Sequence, residues 1–118
     1  MSMDKRIEPR VPHEVKFFVH IQECEEDQEL VGLSIECVAV DVSTRGMQFR
    51  TDLALPAKTE LGITIGIGEP FSMYELYGVV RWVRPDAENN HMGVLLEERP
   101  NTDYNRWEAD FDRLFPKN

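Results

Sequence analysis

The chain has 118 residues, 42% of them hydrophobic, with 13 Lys and Arg against 22 Asp and Glu for a net charge of −9. This length suits one domain with its own core, and the composition excludes a disordered tail or linker. No apolar run approaches the ~18 residues of a spanning helix, and MSMDKRIEPR carries no apolar signal stretch, so a cytoplasmic protein without membrane insertion is expected. The negative charge disfavours long DNA or RNA polymers, whose binding depends on phosphate neutralisation.

Residues 1–13 are polar, contain Pro9 and Pro12, and are expected to form a flexible arm. From residue 14 to 99 alternation dominates. Val15, Phe17, Val19 and Ile21 share one face against Lys16, His20 and Gln22, with Phe18 out of pattern. An acidic stretch follows, Glu23, Glu25, Glu26, Asp27, Glu29 and Glu36 without a base, which reads as a solvated hairpin loop. LSIECVAVDV is β-branched throughout. GMQFRTD then sets Met47, Phe49 and Thr51 against Gln48, Arg50 and Asp52. LGITIGIG, LYGVVRWV and HMGVLLEE bring the strands to six, separated by EEDQE, STRG, LPAK, GEPFS and PDAENN. Six short strands without intervening helices predict a small antiparallel barrel or sandwich. Gly62, Gly66, Gly78 and Gly93 within strands suggest sharp coiling or bulges. Residues 100–118 change period: Tyr104, Trp107, Phe111 and Leu114 recur at helical spacing, with Asn101 or Thr102 as cap, Asp103 in the first turn and Pro116 as stop. The helix is expected to pack on the barrel.

Chemistry is concentrated in two segments. KRIEPR carries Arg6 and Arg10 four apart, and the prolines favour an extended conformation in which they stand ~12–13 Å apart. Two guanidinium forks so spaced suit phosphate oxygens or the O6/N7 edge of guanine. DVSTRG, residues 41–46, connects two strands. Asp41 is an acceptor-only carboxylate, Ser43 a hydroxyl, and Gly46 allows positive φ or close backbone approach. A carboxylate can accept both N1–H and N2–H of guanine, which adenine cannot offer; the same three residue types also make an ordinary hairpin turn. Cys24 and Cys37 are too few for a disulfide framework, and His13, His20 and His91 show no metal-ligand spacing. GITIGIGEP lacks the order of a phosphate loop and no nucleophile–base pair is legible. Neither an enzyme nor a cofactor is expected.

With RIEPR followed by DVSTRG and six strands, the chain resembles the PilZ domain family, bacterial receptor modules for cyclic di-GMP. The resemblance runs over about residues 5–98 and includes GVVRWV and the closing strand with Gly93. It implies an all-β fold, a six-stranded antiparallel PilZ-like barrel with a C-terminal helix. It also implies that Arg6 and Arg10 wrap the ligand, that Asp41 and Ser43 hydrogen-bond a guanine, and that Gly46 leaves room for it. Trp82 has either a stacking role or a place in the core, Arg45 inside the second motif adds a cation, and Arg50, Arg81 and Arg84 are further basic residues able to enlarge the positive patch. In the family an arginine just before the first motif accompanies capture of an intercalated ligand pair. Lys5 holds that position here, keeping the charge without the planar fork, and two ligands per chain are expected. The output would be contact with a downstream protein. The alternative is a PilZ-fold interaction adaptor with weak or no nucleotide binding.

Overall fold

The computed structural model describes residues 15–67 and 71–115. The arm residues Lys5, Arg6 and Arg10 lie outside this range. Six strands, β1 (Lys16–Glu23), β2 (Ser34–Val42), β3 (Gly46–Thr51), β4 (Glu60–Ile67), β5 (Ser72–Asp86) and β6 (Asn89–Glu97), precede one helix, α1 (Tyr104–Leu114). Every pairing is antiparallel, and the order β1-β2-β3-β6-β5-β4 closes on itself as a barrel. Closure gives every strand a paired neighbour on each side, the arrangement by which small all-β domains satisfy their backbone.

The inward face follows the alternation. Phe17, Val19 and Ile21 meet Met47, Phe49, Leu61, Ile63, Ile65, Val80, Met92 and Val94 in one core, with Phe17 edge-on to Phe49 at 5.3 Å. Phe18, the residue out of pattern, points outward and is 48% exposed. The acids from Glu23 to Asp27, Glu29 and Glu36 are solvated. Cys24 and Cys37 are buried thiols, and burial, with the nearby charges of Glu36 and Asp52, raises the Cys37 thiol to about 12.

β5 extends well beyond the eight residues that its alternation predicts. Its first half, from Ser72 to Val79, pairs with β4, and the stretch Tyr77 to Asp86 pairs with β6. Val80 still exchanges backbone hydrogen bonds with Lys58 and Thr59; past it β5 pairs with β6 alone, which is where Pro85 can sit without costing a ladder hydrogen bond. The glycines Gly62, Gly66, Gly78 and Gly93 are not turn-makers: Gly32 is the one described glycine at positive φ. Each instead lies beneath a side chain, Gln22, Phe71, Val94 and Trp82 respectively.

α1 closes against β5. Trp107 is fully buried among Tyr74, Phe111 and Phe115, and Tyr74 donates its hydroxyl to Asp110 at 2.7 Å. The cap is Asp103 rather than Asn101 or Thr102. Thr102 is engaged elsewhere, donating to the Arg99 carbonyl, and Asn101 takes φ 66. The Asp103 carboxylate leaves the helix amides alone and accepts from the Glu75 amide of β5 at 2.8 Å, because the strand lies beside the first turn.

Candidate functional site

Two β-bulges build the site. In β2 the register shifts between Ala39 and Asp41. Cys37 and Ala39 point inward, so strict alternation would bury Asp41; the extra residue turns Asp41 outward and Val42 into the core. In β5 the shift falls between Val80 and Trp82. Val80 is in the core, and the inserted Arg81 reverses the phase so that Trp82 emerges and Val83 packs inward. Bulges re-aim side chains in this way at barrel rims and binding sites.

With both shifts in place, a row of outward residues crosses four strands. Asp41 on β2 pairs with Gln48 on β3, Gln48 with Gly93 on β6, and Gly93 with Trp82 on β5. At a strand spacing of ~4.8 Å the row spans ~14 Å. It forms part of the wall of a cavity of about 310 Å³, which Ser43, Arg45, Gly46 and Arg81 also line. The structure thus brings Asp41, Ser43, Arg45, Gly46 and Trp82 together; Lys5, Arg6 and Arg10 lie outside the described residues. Trp82 is not a core residue: it is half-buried on the cavity wall with its ring against Gly93.

The β2–β3 turn accounts for part of the second motif. The Ser43 hydroxyl accepts from the Gly46 amide and donates to the Gly46 carbonyl, each at 3.2 Å, so it fastens the turn it stands on. Gly46 has no room for a side chain, since a Cβ would lie 2.9 Å from the Val94 carbonyl oxygen. The Arg45 carbonyl accepts from the Leu96 amide, which fixes the turn to β6 and leaves the Arg45 side chain exposed at the rim.

The arginines divide by location. Arg99, Arg106 and Arg113, away from the cavity, each have a carboxylate at 3.3–3.4 Å. Arg45 and Arg81, which line it, and Arg84, over the ring of Trp82 in its wall, have no carboxylate partner among the described residues. In a chain with 22 acids, unpaired cations gathered at one cavity mark it as a place for an anion.

A family model described as PilZ domain matches residues 4–109. The chain belongs to the PilZ domain family. No curated protein matches it by sequence. Among solved structures this PilZ domain is similar to the Bacillus subtilis inhibitor of motility MotI/DgrA, with 17% identity and a TM-score of 0.63 over 91% of this chain and 49% of that one. It is similar also to K. pneumonia MrkH in its apo state, with 18% identity and a TM-score of 0.63 over 97% of this chain and 52% of that one. Both likenesses concern the fold, and the chain spans about half the length of each protein. PilZ domains are receptor and adaptor modules, and no helix among the described residues is long and apolar enough to cross a membrane.

Sequence reasoning missed Gln48 and Gly93 as parts of the site, because cross-strand register brings them there. The first bulge had no signal in the sequence, because the alternation of VAVDV puts the three valines on one face and Asp41 on the other without it.

Proposed function

We propose that this PilZ domain is a bacterial, cytoplasmic receptor that binds cyclic di-GMP in the Asp41–Trp82 cavity and passes the signal to a partner protein. The observation that carries the reading is the cavity itself, a carboxylate turned out of the core by a bulge and faced by arginines without carboxylate partners. Asp41 can accept N1–H and N2–H of one guanine, and the guanidiniums of Arg45 and Arg81 suit the phosphates. At about 310 Å³ the cavity is at the lower limit for a small-molecule site, so a ligand with two guanines needs a further surface. The KRIEPR segment suits that need. The Val15 carbonyl accepts from the Ala39 amide, so the chain enters the barrel two residues from Asp41. Arg10, five residues upstream, reaches at most ~17 Å from there. Arg6 and Arg10 then clasp the ligand from outside, with Lys5 as the added cation for a second molecule.

Calorimetry tests this. Cyclic di-GMP is expected to bind with micromolar or tighter affinity, about −8 kcal/mol. Arg10→Ala is expected to lose about 2 kcal/mol or more with the charge-assisted pair. Asp41→Ala should remove the preference for cyclic di-GMP over cyclic di-AMP, which for a site built on hydrogen bonds is about 100-fold. A wild-type protein that binds neither dinucleotide would refute the receptor reading and leave the adaptor role.

A further inference from the structure

Beside the row that ends at Trp82 runs a second outward row, Arg50 on β3, His91 on β6 and Arg84 on β5, joined by register. It is one pleat further along the strands, ~7 Å from the first. The two rows are tied together. The His91 ring stands edge-on to Trp82 at 5.2 Å, and its Nε2–H donates to Gln48 Oε1 at 3.0 Å. The Arg84 guanidinium lies over the Trp82 ring, 4.6 Å from the centroid.

We propose that Arg84, held on Trp82, is a further ligand-binding residue, a phosphate-binding fork beside the β5 wall of the cavity. This deepens the receptor reading and rests on it for the identity of the ligand. A guanidinium that stacks through its flat face keeps the N–H donors along its edge available, so stacking positions the fork without occupying it. Among the described residues no carboxylate competes for those donors. The support beneath is built into the sheet. The indole lies in the space that Gly93 leaves open, with Nε1, Cε2 and Cζ2 all within 2.7 Å of where a Cβ would stand, and His91 packs edge-on against the ring. The entropic cost of holding an arginine is thus met before the ligand arrives, which is how preorganisation gains affinity. Asp41 on the cavity wall and Arg84 beside the Trp82 wall then recognise opposite characters of one ligand, a base edge and a phosphate.

The test is a pair of titrations on the full chain, with cyclic di-GMP and with inorganic pyrophosphate, followed by calorimetry and by tryptophan emission. Trp107 is fully buried on the barrel-facing side of α1 and Trp82 lines the cavity, so ligand-dependent emission reports on Trp82. Arg84→Gln is expected to weaken cyclic di-GMP at least tenfold, and Arg113→Gln, whose arginine pairs with Asp110 on the helix, leaves affinity unchanged. Equal affinity of Arg84→Gln and wild type overturns the subsite while the receptor reading stands. If wild type does not bind cyclic di-GMP, the receptor reading fails and pyrophosphate decides the subsite. An emission change in wild type that Arg84→Gln abolishes supports it, and no change in wild type overturns it.

Discussion

Gly93 and Trp82 depend on each other. A Cβ on residue 93 would stand 2.4 Å from Trp82 Nε1, so Gly93→Ala forces the indole off the strand or the strand off its neighbour. Overpacking of this kind costs about 1–3 kcal/mol. In a Trp82→Ala background the same change should cost less than about 0.5 kcal/mol, because the clash has lost one partner. Urea unfolding of the four proteins measures this, and an equal cost in both backgrounds would show that the ring is not what requires the glycine. Ala87, in the two-residue connection between β5 and β6, holds φ 58. A left-handed conformation costs a non-glycine residue about 1–2 kcal/mol, partly offset in a glycine by unfolded-chain entropy of about 0.4–1 kcal/mol. Ala87→Gly is therefore expected to raise stability by about 0.5–1 kcal/mol in the same experiment. Much of the site was legible at this scale. Asp41, Ser43 and Gly46 stand out as hydrogen-bonding and small residues on a strand connection, and the structure puts all three at the cavity. Trp82 was not assignable, since alternation from Val80 gives it to the core and one bulge residue, Arg81, decides otherwise.

Among the elements, strand pattern carried furthest where one face is apolar and the other polar, as in β1 and β3, whose inward residues are the ones their alternation marks. It fell short where the constraint is not local. Leu55 lies between strands in a segment of turn-forming residues, yet it is 1% exposed, and neighbouring Thr59 is buried with its hydroxyl on the Pro56 carbonyl. The helix was legible from its spacing, but its cap was not, since the bond that positions Asp103 goes to β5. Asp103 and Glu75 exchange backbone and side-chain bonds: the Asp103 amide donates to the Glu75 carbonyl at 2.8 Å, and the Asp103 carboxylate accepts from the Glu75 amide at 2.8 Å. Asp103→Ala should cost about 1.5–3 kcal/mol, the range for a hydrogen bond to a charged group, and should loosen α1 from the barrel. A larger loss awaits Trp107→Ala, about 3–5 kcal/mol for an aromatic removed from a filled core. Trp107→Phe should cost distinctly less, because the indole N–H has no acceptor among the described residues and its removal relieves an unsatisfied donor. Thermal unfolding of the three variants ranks them, and a Phe variant as unstable as the Ala variant would contradict this account of the packing.

At the scale of the whole molecule, charge is segregated. β2 begins beside the acidic hairpin and ends at the turn bearing Arg45, so the acids from Glu23 to Glu29 and Arg45 stand at opposite ends of that strand. At high pH the molecule loses stability through buried groups instead. Burial and the hydrogen bond to Glu60 raise Tyr77 from 10.0 to about 12. The folded state therefore holds this proton more tightly than the unfolded chain. The stabilisation is complete below pH 10 and is lost as pH rises toward about 12, and Tyr77→Phe should flatten that part of the denaturation profile.

The same polarity sets the size of anion the protein can accept. Near the cavity a phosphate meets Arg45, Arg81 and Arg84, but with a net charge of −9 most of the remaining surface repels it. Beyond a Debye length of ~8 Å at physiological salt that repulsion is screened, so a ligand confined to the ~14 Å row experiences chiefly the arginines. A duplex carries one charge per ~1.7 Å along its axis, so its flanking phosphates extend over the acidic surface and gain nothing from the few cations around one cavity. A labelled 20-base-pair duplex is accordingly expected to show no anisotropy change at physiological salt, and unlabelled duplex should not displace cyclic di-GMP at matched phosphate concentration. Displacement at that concentration would mean that the arginine cluster extends into a surface able to follow a polymer, and would overturn the assignment of the cavity to a small, compact phosphate ligand.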